Sequence, residues 1–98
     1  MASLNRVEDV LMSHMYTYPV CENIIRMNDF LTFEHETRLP DGSRLLIIYK
    51  YNSKGLEVYK VFDGDELKDV TEKYKTHPVV VAAMGLIGEE IGDLPAAQ

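Results

Sequence analysis

From Phe30 to Leu39 the chain changes to a period of two, and this switch, followed by two turn clusters before Phe62, restricts the fold more than any other feature. Leu31, Phe33, His35, Thr37 and Leu39 alternate with Thr32, Glu34, Glu36 and Arg38, as in a strand with one buried and one wet face. Pro40-Asp41-Gly42-Ser43 then supplies a turn, because proline presets its φ and glycine accepts a positive one. The following run, Leu45 to Tyr51, is apolar on both faces at first; this predicts the centre of the sheet, with something covering part of its second face. Asn52-Ser53-Lys54-Gly55 is a second turn, and Leu56, Val58, Tyr59, Val61 and Phe62 form a third strand. Strands joined by tight turns make an antiparallel meander.

Helical periods flank this centre. Leu4, Val7, Val10, Leu11 and Met15 recur at three- and four-residue spacing behind Ser3, a natural N-cap, and Pro19 stops this helix near Tyr16 or Thr17. A short second helix is predicted over Val20–Asn28, with Val20, Ile24 and Met27 on one side. Asp63-Gly64-Asp65 reads as a turn, and residues 66–70 suit either a short fourth strand or a helical turn. Pro78 occupies a favourable first helical position, and Ala82, Ala83, Met84, Leu86 and Ile87 favour a terminal helix through Ile91 over the strand that three consecutive valines would also suit. The prediction is therefore one α+β domain over residues 1–98: N-terminal helices, a three- to four-stranded antiparallel meander, a C-terminal helix on one sheet face, and a loose tail at residues 94–98.

Charge narrows the function classes. The net charge is −6, and it is unevenly spread: two basic and four acidic residues in 1–29, five and four in 30–62, three and eight in 63–98. Direct nucleic-acid or anionic-membrane binding needs clustered lysine and arginine, so a protein partner with a basic surface is expected instead. The longest apolar run, Val79–Met84, is too short for a membrane span, and no signal-peptide pattern opens the chain. A single cysteine, Cys21, makes no internal bridge and fits a reducing, cytoplasmic compartment.

Each candidate for chemistry has a plainer explanation. Asp63, Asp65 and Asp69 resemble part of a calcium loop, but Leu67, Lys68 and Tyr74 stand where such a loop needs an oxygen ligand, its glycine and its closing glutamate. His14, His35 and His77 lack metal-ligand spacing; His35 is placed inward and His77 reads as a helix cap. Cys21 at the start of the expected second helix could have a lowered thiol pKa, yet no base or oxyanion hole accompanies it. Tyr49, Tyr51 and Tyr59 interleaved with Lys50, Lys54 and Lys60 suit cross-strand packing or a protein-contact surface better than base stacking. No metal, cofactor or catalytic residue is assigned.

The expected function is a small acidic protein-binding module, an inhibitor or antagonist that occludes a larger, nucleic-acid-handling partner, of the kind encoded by viruses or mobile elements. Asp63, Asp65, Glu66, Asp69, Glu89, Glu90 and Asp93 are its candidate contact residues, since Glu89, Glu90 and Asp93 crowd the negative end of a helix and the others crowd one turn. The alternative is a sensor holding a small molecule between sheet and helices through His35, Tyr49 and Tyr59. Glu34, Glu36, Arg38, Lys50 and Lys60 should form the solvent face of the sheet. Val79, Val80, Val81, Met84, Leu86, Ile87 and Ile91 cover too much of the last helix for one sheet face to bury, which predicts a deep core position or a homodimer.

Overall fold

The computed structural model describes residues 3–92, so the expected tail at residues 94–98 and the candidate Asp93 lie outside the described residues. Helix α1 (Leu4–Ser13) begins at its N-cap, where the Ser3 side chain accepts the Arg6 backbone N–H at 3.2 Å. It ends at Ser13, short of Tyr16. The Ser13 hydroxyl donates back to Val10 O at 2.6 Å and Thr17 Oγ1 donates to Ser13 O at 3.3 Å, so side chains take carbonyls that a further turn would have used.

The expected second helix is a strand. Residues 22–26 form β1 (Glu22–Arg26), which pairs antiparallel with β2 (Phe30–Arg38), and Met27 N donates to Phe30 O at 2.8 Å in the connecting turn. The spacing of Val20, Ile24 and Met27 mimics a helical face, but Ile24-Ile25 is β-branched and the edge of β2 offers a full row of backbone partners. β3 (Arg44–Asn52) and β4 (Gly55–Asp63) complete the sheet in the order β1-β2-β3-β4, every neighbouring pair antiparallel.

Residues 66–70 form neither of the predicted elements. The chain closes a turn in which Asp63 N donates to Lys68 O and Leu67 N to Asp63 O, both at 2.8 Å, and an isolated bridge joins Phe62 to Asp69. A single helical turn, α2 (Thr71–Tyr74), follows beside β4. Helix α3 (Pro78–Ile91) starts at His77, whose Nδ1 accepts the Val79 backbone N–H at 3.1 Å, and ends at Gly92 with φ 72°, a conformation that favours glycine.

Helices α1 and α3 lie together on one face of the sheet, which makes two layers. The inward residues Leu31, Phe33, Leu45, Ile47, Tyr49, Leu56 and Val61 meet Val7 and Leu11 of α1 and Val80, Ala83, Ile87 and Ile91 of α3 in one core. Phe33 and Tyr49 stack with ring centroids 5.0 Å apart. The two helices are also tied directly: Arg6 Nη1 donates to Ile91 O at 2.6 Å, satisfying a carbonyl at the end of α3. Along β3 the odd positions from Leu45 to Tyr51 are buried by the helices, whereas Leu46 and Ile48 point to the opposite face and are only half buried. The cover expected over that second face is not supplied by either long helix.

Candidate protein-binding surfaces

The acidic turn after β4 is built by its own carboxylates. Asp63 Oδ1 accepts the backbone N–H groups of Asp65 at 2.8 Å and Glu66 at 3.0 Å, and Asp69 Oδ1 accepts from Thr71 N at 3.0 Å and Thr71 Oγ1 at 2.6 Å. These bonds hold both carboxyls below the ordinary carboxylate range: for Asp63 the backbone donors dominate, and for Asp69 the Thr71 hydroxyl does. Asp65 is gripped by Arg44 through Nη2 at 2.7 Å and Nε at 3.2 Å. Gly64 lies so close to β3 that a Cβ there would meet Arg44 Cβ at 2.9 Å and Arg44 O at 3.2 Å, so the turn is pressed onto the sheet. Lys60 Nζ reaches Asp69 and Lys68 Nζ reaches Glu66, each at 3.4 Å.

At the tip of this turn stands a residue that the charge pattern did not single out. Leu67 has φ 56° and is 64% exposed, a bulky side chain in the left-handed region presented to solvent between Glu66 and Lys68. Such a conformation costs about 1–2 kcal/mol, and glycine or asparagine would adopt it more easily. In the sequence the only signal is an apolar residue inside an otherwise polar turn.

The remaining acidic candidates belong to another part of the surface. Glu89 and Glu90 are exposed on the last turn of α3, and His14 Nε2 donates to Glu90 Oε2 at 3.0 Å, so Glu90 faces α1 and not the turn. Asp93 lies outside the described residues. The six described acidic candidates therefore do not form one patch.

Nor do the three ligand candidates converge. His35 and Tyr49 are buried on the helix side of the sheet, where His35 Nδ1–H donates to Val20 O at 3.0 Å and the His35 ring meets Tyr18 edge-on. Tyr59 points the other way. The register between β3 and β4 shifts from Ile48↔Lys60 to Tyr49↔Val58, leaving Tyr59 as a bulge residue, 52% exposed, with Lys50 Nζ 6.0 Å from its ring. A bulge turns one residue to the other face, and simple alternation does not reveal it. Cys21 precedes a strand, not a helix; its thiol is buried and its pKa is pushed up to about 12, first by desolvation and then by Glu90, so it stays protonated at neutral pH. Among the described residues no group of three or more His, Cys, Asp or Glu side chains is arranged to hold a metal ion. No described helix is long and apolar enough to cross a membrane.

Two apolar surfaces were missed. The first is a groove of about 330 Å³ between α1 and β1, lined by the exposed Met12 and Met15 and by Ile24, with Glu8 and Asn23. The second surface is the face of the sheet away from the helices, where Leu46, Ile48 and Phe62 are half buried and Tyr59 and Ile25 are exposed. Searches of protein-family models, of curated proteins and of solved structures return no match to this chain.

Proposed function

We propose that this chain is a small acidic protein-binding module that occludes a larger partner with a basic surface, and that it works in a reducing, cytoplasmic compartment. The observation that carries the reading is Leu67, held in a strained conformation and exposed at the tip of the acidic turn. Strain at an exposed side chain persists when the surrounding structure enforces it, and such positions cluster at contact sites. The Asp63 backbone holds it, accepting the Leu67 N–H and donating to Lys68 O, and four carboxylates against Arg44, Lys60 and Lys68 leave the turn with the field of a residual negative charge. A basic partner would be steered by that field and would seat the Leu67 side chain at the centre of the contact. The buried, unpaired Cys21 supports the compartment.

Leu67→Gly separates fold from function. Relief of the left-handed strain should raise stability by about 1 kcal/mol, while capture of a stoichiometric partner from an extract of the source cells should fall by about tenfold. Reversing Glu66 to lysine should slow association and flatten its salt dependence. Full capture by both variants would overturn the assignment. A Met12→Asp, Met15→Asp chain serves as the contrast: loss of capture in that variant alone would move the contact to the methionine-lined groove.

A further inference from the structure

We infer that Met12 and Met15 form an oxidation site for hydroperoxides, and that converting their thioethers to sulfoxides releases β1 from α1. The site stands apart from the acidic turn. Met12, in the last turn of α1, is 54% exposed, and Met15, just beyond the helix end, is 38% exposed. Met15 N donates to Met12 O at 3.3 Å, so the backbone keeps the two residues together, and both side chains line the groove against β1. The other described methionines differ. Met84 is half buried against the core, and Met27, though exposed, lies after β1 and lines no part of this groove. Cys21 is buried with its thiol protonated, so peroxide reaches the two thioethers first.

Ile24 gives the site its effect. It is the one residue of β1 that is not exposed, it packs against the core, and it shares the groove with both methionines. Beside this apolar contact the polar ties from β1 to α1 are few: Arg26 Nη1 donates to Asn5 Oδ1 at 2.6 Å and to Glu8 Oε1 at 3.4 Å. Each oxidation is a two-electron step. A sulfur lone pair attacks one oxygen of hydrogen peroxide, the S–O bond forms as the O–O bond breaks, and the hydrogen on the attacked oxygen moves to the leaving one, which departs as water. Sulfur is oxidised and the peroxide reduced. The product is polar where the thioether was apolar, so it turns toward water and leaves Ile24 facing a wet groove. β1 pairs with β2 alone and a bulge interrupts that pairing, so its local opening has little else to overcome.

The test treats the full chain with hydrogen peroxide and follows it by peptide mass mapping, amide hydrogen exchange and timed trypsin cleavage after Arg26. Met12 and Met15 should gain oxygen at least about tenfold faster than Met84. In the doubly oxidised chain, β1 exchange and cleavage after Arg26 should speed up at least about fivefold while β3 stays protected, and methionine sulfoxide reductase with a dithiol should reverse both changes. Met12→Leu combined with Met15→Leu keeps the groove apolar and removes the sulfur; peroxide should leave β1 of that variant unchanged although Met27 still oxidises. Oxidation of Met12 and Met15 no faster than that of Met84, a β1 unmoved by their oxidation, or a double-leucine variant that loses β1 to peroxide as wild type does would each overturn the inference.

Discussion

The Tyr49 hydroxyl is buried with no hydrogen-bond partner among the described residues, and burial, followed by the neighbouring Cys21 and Tyr18, drives its pKa upward. A buried hydroxyl without a partner costs about 1–3 kcal/mol of desolvation, whereas the ring it carries stacks on Phe33. Tyr49→Phe keeps the ring and removes the cost. Urea unfolding should therefore show a gain of about 1 kcal/mol at unchanged m, and a loss of that size would mean the hydroxyl has a partner after all. The exposed acids behave in the opposite sense. Asp41, Asp63 and Asp69 have folded-state pKa values below the unfolded value, so their stabilisation is fully present above about pH 4 and disappears as pH falls through the folded values. Tm measured from pH 6 to pH 2 should fall in that acidic window, and Asp69→Asn should reduce the part of the fall that comes from the Thr71 contact. Neutralising Asp63 and Asp69 also loosens the turn, which makes Glu66 the better position for testing charge alone.

Among the elements, β1 is the weakest link. It pairs on one side only, its register shifts between Glu22 and Ile25, Asn23 has φ 50°, and Ile24 is its only residue that is not exposed. Amide hydrogen exchange should release β1 well before β3, which is paired on both sides, and equal protection of the two would show that the edge is held by something further. The same element marks where the sequence misleads. Strands β2 to β4 could be read because the alternation of β2, the apolar run of β3 and the turn glycines Gly42 and Gly55 agree as far as the bulge in β4. In β1, five residues with a bulge are too few to show a period of two, and Val20, Ile24 and Met27 happen to fall at helical spacing. Tyr59 was misplaced for a related reason, since the bulge that turns it outward belongs to the pairing of two strands and has no signature in one.

At the scale of the whole molecule, the charge imbalance of the last third was legible and its arrangement was not. Composition cannot show that Asp63 and Asp69 spend their oxygens on the turn, that Arg44 reaches back from β3 to Asp65, or that Glu90 belongs with α1. Leu67 was hidden because its importance lies in a backbone angle. The layer architecture, by contrast, follows from an amphipathic helix before the meander and an apolar helix after it, and Ser3, His77 and Gly92 close those helices as helix termini require. One tie between the helices has a temporal side. Arg6 and the carbonyl of Ile91 that it holds are separated by 85 positions. Synthesis runs from the amino end, so α1 can lay its apolar side on β1 and β2 before α3 exists, whereas the Arg6 tie waits for the last helix; α1 therefore docks in two stages, first by packing and later by the bond that closes α3.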